Sequence, residues 1–210
     1  MKEKLGVNPW LSIWTSPRKS IRTLIHYSTN HRIIALSAIY GFLYMLQLSH
    51  FLSLGTGNPL WMILLISIIF ALPAGYIIFN VMSFFNYFLG KLIKGKGTFK
   101  EIRAATYWSS VPCVISVLLY IVQIVVFRNE LFVAGYETQV MGGAALLTLI
   151  VGIIQRVITV WVFIIFLHAL GEVQGFSAWM ALLNVFLSGL TIAILLFLFS
   201  WGFSALVHVK

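Results

Sequence analysis

Residues 59–103 read PLWMILLISIIFALPAGYIIFNVMSFFNYFLGKLIKGKGTFKEIR, an apolar stretch that ends in a dense group of basic residues. Its apolar part, 59–89, is long enough to cross a bilayer, which requires about 20 mostly apolar residues in a helix. A membrane β-strand would alternate apolar and polar residues, and Ile63-Leu64-Leu65-Ile66 does not alternate. The stretch therefore predicts a transmembrane helix followed by a basic loop.

Four more apolar runs of sufficient length cover residues 33–54, 107–127, 143–170 and 179–207. Only 9% of the 210 residues are charged, whereas a soluble domain carries about 25%. The net charge of +9 does not indicate a nucleic-acid partner, because the basic residues flank apolar runs and form no polar domain. Anionic lipid headgroups are the expected counter-charge. We predict an all-α membrane protein with five transmembrane helices.

Most of the Lys and Arg residues occupy two short stretches. The first contains Lys2, Lys4, Arg18, Lys19, Arg22 and Arg32, and the second contains Lys91, Lys94, Lys96, Lys100 and Arg103. Basic loops of membrane proteins stay in the cytoplasm. The N-terminus is therefore predicted inside and the C-terminus outside. The predicted cytoplasmic basic face comprises Arg18, Lys19, Arg22, Lys91, Lys94, Lys96, Lys100 and Arg103.

The segment 1–32 is predicted to form two short amphipathic helices at the membrane interface, ahead of a transmembrane domain at 33–207. Asn8-Pro9 and Ser16-Pro17 each place a capping residue before a proline, the pattern of a helix start. Trp10 and Trp14 are candidate interfacial anchors. Two interpretations stay open: the segment packs on the bundle, or it binds lipid or a partner protein.

Arg156 is the one basic residue near the middle of an apolar run. A central Arg costs roughly 2.5–3.5 kcal/mol on insertion scales, so it is expected to face the bundle or a watery cavity. Neighbouring Gln155 makes the position more polar. Candidate partners are Asn80, Gln47, Gln123, backbone carbonyls near Pro73 or a lipid phosphate. Arg156 is interpreted either as a tie between helices or as a site for an anion or lipid headgroup.

Residues before the third run predict a helix start. Thr98 and Glu101 form a capping-box pattern, and the helix is expected to lead into the third span. Pro112 is expected to kink that span, as Pro73 is expected to kink the second. The two glycines of the preceding loop suggest flexibility, and with the nearby lysines they could bind phosphate.

Catalysis is not expected. The chain contains no Asp, no HExxH, GxSxG or P-loop pattern, and its His residues are scattered. An intramembrane enzyme would need His168, Glu172 and Glu101 to meet. No metal and no cofactor are predicted.

The chain resembles the Yip1 domain family, and in particular its bacterial branch. The resemblance lies in four motifs: NPWLSIWTSPR at 8–18, GKGTFKE at 95–101, YWSSVP at 107–112 and GEVQGFSAW at 171–179. It implies five spans with the N-terminus in the cytoplasm and the C-terminus outside, here in the bacterial cytoplasmic membrane. Eukaryotic relatives bind Rab-type GTPases and one another, and they shape or traffic membranes. The Asp-Leu-Tyr-Gly-Pro motif of those relatives is missing here, so the resemblance does not carry a GTPase partner over.

Two functional hypotheses follow. The first is a non-enzymatic scaffold that organises membrane or binds a partner through its basic face. The second is a small transporter, channel or lipid-moving protein that uses Arg156. A homo-oligomer or hetero-oligomer is compatible with both.

Overall fold

The computed structural model describes residues 8–208, without the side chains at 202, 203 and 205–208. Lys2 and Lys4 therefore lie outside the described residues. The described part contains nine α-helices: α1 (Pro9–Ser12), α2 (Pro17–Tyr27), α3 (Ile33–Phe51), α4 (Leu60–Leu92), α5 (Phe99–Ser109), α6 (Cys113–Phe127), α7 (Tyr136–Gln139), α8 (Gly142–Gln174) and α9 (Ala178–His208). Short 3-10 helices follow α3 and α6, at Leu54–Thr56 and Arg128–Phe132.

Five segments are long and apolar enough to cross a membrane: Ile33–Phe51, Leu60–Leu92, Cys113–Phe132, Gly142–Gln174 and Ala178–Trp201. The prediction of a helical protein with five membrane-crossing segments is confirmed. Helices α4 and α8 have 33 residues each, which corresponds to about 50 Å. Each is longer than the ~30 Å hydrocarbon layer of a bilayer. Helix α4 continues through Pro73 as one element.

The chain differs from the sequence prediction at Pro112. Helix α5 ends at Ser109 and α6 begins at Cys113, so Pro112 precedes a new helix instead of kinking a continuous one. Proline has no N–H to donate, and its ring clashes with the carbonyl four residues earlier. The break allows α5 to pack as a separate short helix, whose residues from Ala104 to Ser109 are all buried.

Helices α3 and α4 make the most extensive contact of any helix pair in the described residues, and two glycines permit their close approach. A Cβ atom on Gly41 would overlap the carbonyl oxygen of Ala71, and one on Gly75 would overlap that of Ser37. Small residues let backbones approach in this way in membrane bundles. Helix α5 lies against this pair and against α8. The end of the bundle where α5 lies also holds α1 and α2, and we call it the basic end.

Candidate functional site

Helices α1 and α2 cover the basic end with their apolar side chains against the bundle. Ile13, Ile21 and Leu24 are at most 1% exposed. They share a cluster with residues of α3, α5 and α8. The hydroxyl of Ser20 donates a 2.7 Å hydrogen bond to the Ser12 hydroxyl, which joins α2 to α1. Protein therefore covers the apolar side of α2.

The two predicted anchors are half-buried. Trp10 meets Trp108 of α5 edge to face, with ring centroids 5.6 Å apart. Asn8 caps α1 as the sequence suggests, because its side-chain oxygen accepts the N–H of Trp10 at 3.1 Å. Ser16 makes no such side-chain bond at the start of α2. Trp14 packs beside the apolar cluster.

Two arginines of α2 converge on one carboxylate of α8. The Nε of Arg22 lies 2.6 Å from Glu172, and Nη1 of Arg18 lies 3.8 Å from it. Arg18 also donates to the carbonyl oxygen of Phe176 at 3.3 Å. The hydrogen bond to Glu172 and its charge raise the pKa of Arg22. These contacts fix α2 on the turn between α8 and α9.

The loop between α4 and α5 is fixed to the same turn by Gln174, which is 1% exposed. Its side-chain oxygen accepts the N–H of Gly97 at 3.3 Å. Its side-chain nitrogen donates to the carbonyl oxygen of Asn86 at 3.2 Å. A Cβ atom on Gly95 would overlap the Gln174 side chain. The loop glycines therefore allow close packing against Gln174. Asn184 of α9 also donates a 3.0 Å hydrogen bond to the carbonyl oxygen of Asn86. Gln174, Asn86 and Asn184 were not predictable as site residues, because their contacts join residues far apart in the chain.

The lysines of the basic face are exposed. They lie on α2, α5 and the end of α4 with its following loop, which the contacts above join to the turn between α8 and α9. Lys91 donates to the carbonyl oxygen of Gly95 at 3.2 Å, so it contributes to the loop itself. Among the described residues, Lys19, Lys94, Lys96 and Lys100 form no ion pair.

The guanidinium of Arg103 joins separate parts of the chain through hydrogen bonds, so it is not an unpartnered cation. Its guanidinium donates to the side-chain oxygen of Asn30 at 2.6 Å and to that of Asn80 at 3.3 Å. Asn80 also lies 3.5 Å from the hydroxyl of Tyr107. The Asn80 side chain is therefore engaged with Arg103 and α5, and the structure does not bring it to Arg156.

The side chain of Arg156 is exposed on α8, and it makes no side-chain hydrogen bond to any described residue. Its half-buried neighbour Gln155 donates to Gln123 at 3.4 Å. Gln123 in turn donates to the hydroxyl of Tyr136 at 3.1 Å. The four residues proposed for one polar site thus separate into three places.

The residues needed for an enzyme do not meet as one group. Glu101 closes the predicted capping box with Thr98, whose N–H donates to it at 2.8 Å. Glu101 and Glu172 line a recess of about 260 Å³ with Arg22 and His26. His168 lies elsewhere, in a different cleft. No three His, Cys, Asp or Glu side chains within the described residues are grouped to hold a metal ion.

These features define a helical multi-pass membrane protein. The family model described as "Yip1 domain" matches residues 11–201. The chain therefore belongs to the Yip1 domain family. No curated protein and no solved structure matches it.

Proposed function

We propose that this protein is a non-enzymatic scaffold of the bacterial cytoplasmic membrane, with its basic end in the cytoplasm and in contact with anionic lipid. The observation that carries the proposal is the placement of the exposed lysines that form no ion pair with a described residue. Lys19, Lys94, Lys96 and Lys100 are exposed at one end of the molecule. Each basic residue near an anionic membrane surface contributes about 1 kcal/mol of attraction.

The contacts that hold α2 and the 90–97 loop beneath these lysines support the same role. Arg18 and Arg22 hold α2 through Glu172, and Gln174 holds the 90–97 loop. These contacts hold the backbone that carries the lysines, so binding loses little backbone entropy. In this proposal, segment 1–32 lies at the cytoplasmic surface, with Trp10 and Trp14 at headgroup depth and their inner faces on the bundle.

The test is the local lipid composition around the reconstituted protein. We expect a labelled protein in mixed bilayers to enrich fluorescent phosphatidylglycerol over phosphatidylcholine, measured by energy transfer. The Lys94→Gln, Lys96→Gln, Lys100→Gln triple variant should lose most of the enrichment, and raised salt should weaken it because exposed charges are screened. Lys91 is left intact because it stabilises the loop.

The matched control replaces the same three lysines with arginine, which keeps the charge and the length. That variant should retain the enrichment. Equal enrichment in the glutamine and arginine variants would refute the role of the basic face.

Arg156 supports a second candidate, a protein that moves lipid across the membrane. A groove of about 300 Å³ lies between α4 and α8, with Thr106, Ser109 and Ser110 of α5 in its lining. Thr159 of α8 also lines it, three residues beyond the exposed Arg156. The Arg156→Gln variant should slow the transfer of labelled phospholipid between leaflets of proteoliposomes roughly tenfold, since the cation within the apolar layer is lost. The Arg156→Lys variant should retain transfer. Absence of transfer by the native protein would exclude this candidate.

A further inference from the structure

A cleft of about 590 Å³ lies between the N-terminal helices and α8. One side is the chain at 14–19, where α1 leads into α2. The other side is formed by Trp161, Ile164, Ile165 and His168, which share one face of α8 because the last three lie three, four and seven positions after Trp161. The volume falls within the roughly 300–1,000 Å³ of small-molecule sites.

The cleft changes character along its length. Arg18 reaches Glu172 and Phe176, so the cationic side of the cleft lies towards the last turn of α8. Trp161 lies about 10 Å from His168 along the helix axis, on the side away from the last turn of α8, at 1.5 Å per residue. Trp161 is 41% exposed and Ile164 is 38% exposed. The cleft therefore has a cationic end at the basic end of the bundle and an apolar end deeper in α8.

Several donors at the cationic end are unused. Lys19 is exposed and forms no ion pair with a described residue. The backbone N–H groups of Arg18 and Lys19 open α2, and neither has an acceptor in the described part of the chain. The Ser16 side chain does not cap them. The positive end of the helix dipole adds to the charge of Lys19.

We propose that this cleft binds one anionic glycerophospholipid. Its phosphate contacts Lys19 and the first turn of α2, and the upper part of an acyl chain lies on Trp161 and Ile164. Charge complementarity selects the anionic headgroup. A free phosphate would leave the apolar wall uncovered, whereas a phospholipid covers both ends. The inference rests on the proposed function for the lipid and its leaflet, and it adds a single defined site to a diffuse basic surface.

The test is native mass spectrometry of the whole protein in micelles with added phosphatidylglycerol or phosphatidylcholine. We expect one phosphatidylglycerol per chain at low lipid concentration, with phosphatidylcholine bound more weakly. Lys19→Gln should weaken this first binding event roughly tenfold, since a charge-assisted hydrogen bond is lost. Ile164→Trp should weaken it as well by filling the apolar end while remaining compatible with the membrane.

Arg32→Gln is the matched control, because it removes one exposed positive charge at the same end, outside both the cleft and the basic face. It should leave the first binding event unchanged. Equal weakening by Lys19→Gln and Arg32→Gln, or no weakening by Ile164→Trp, would overturn the proposal. Displacement of the lipid by millimolar glycerol 3-phosphate would overturn it in favour of a soluble anion.

The two proposals fail separately. If the native protein enriches phosphatidylglycerol but Lys19→Gln and Ile164→Trp bind the first lipid normally, only the cleft site is wrong. If the native protein shows no enrichment in bilayers, the diffuse basic surface is wrong. Binding of the first lipid then still reports on the cleft.

Discussion

Gln174 is buried at the end of α8, and its side-chain amide joins two other parts of the chain. It accepts from the backbone of Gly97 and donates to the backbone of Asn86. These bonds span 77 and 88 residues of sequence. In the amino-acid sequence Gln174 is only a polar residue in a turn, because its partners are set by the tertiary fold.

Replacing Gln174 with alanine should lower the free energy of unfolding by about 2–3 kcal/mol, because buried partners are left unsatisfied and space is left empty. Denaturation of the protein in mixed micelles measures the change. Gln155→Ala is the control, since that half-buried amide makes one 3.4 Å bond. A loss no larger than that of Gln155→Ala would contradict this role.

His31 makes stability depend on pH. Its ring stacks on Trp108, with centroids 5.8 Å apart. Burial lowers the pKa of His31 below its ordinary 6.5, and the charge of Arg32 lowers it further. At pH values between the folded-state pKa of His31 and its ordinary 6.5, the folded state therefore binds fewer protons than the unfolded state. The free energy of unfolding should therefore fall as the pH drops below about 6.5, until the folded-state pKa is reached.

Thermal unfolding at pH 7.5 and pH 5.5 checks this expectation. The native protein should lose more stability on acidification than the His31→Gln variant, which has no titrating ring at this position. An identical loss in both proteins would exclude His31 as the source.

Arg156 shows what a sequence can predict for a single residue. A charge within an apolar run is visible in the sequence, and it predicts Arg156 as a candidate site residue. Its orientation was not predictable, because exposed apolar residues surround it on several sides of α8, among them Ile153, Ile154 and Val157. With no polar face to contrast with an apolar one, the sequence carries no periodic signal for the inner side of the helix.

At the scale of elements, the long apolar helices and the capping box of α5 were predictable from local patterns. The end of α4 was not predicted. It has the hydrogen bonds of a Schellman motif, from Gly95 to the Gly90 carbonyl at 2.7 Å and from Lys94 to the Lys91 carbonyl at 3.1 Å. Lys94 occupies the left-handed position with φ 68°, where glycine is the usual residue.

Replacing Lys94 with glycine should therefore raise the free energy of unfolding by about 0.5–1 kcal/mol, because glycine adopts positive φ without steric cost. The comparison variant is Lys94→Gln, which removes the same charge and keeps a side chain in the strained conformation. Denaturation in mixed micelles measures both. If the glycine variant is no more stable than the glutamine variant, the backbone at residue 94 carries no strain.

At the scale of the whole molecule, the order of apolar runs and basic loops along the sequence predicts a five-span helical membrane protein, since these are local features. The packing of α5 in the bundle was not predictable, because only tertiary contacts place it between α3, α4 and α8. The break at Pro112 makes this packing possible. The contacts at the basic end were not predictable either, because tertiary packing brings α2 and the 90–97 loop to the turn between α8 and α9.

The orientation of the basic end is the central claim, because both lipid proposals require it to face the cytoplasm. Single cysteines at position 94 and position 130, introduced as Lys94→Cys and Glu130→Cys in a Cys113→Ala background, test it with a membrane-impermeant maleimide in spheroplasts. We predict that the cysteine at position 130 is labelled in intact spheroplasts and the one at position 94 only after permeabilisation. Labelling of position 94 in intact spheroplasts, with position 130 protected, would contradict the account.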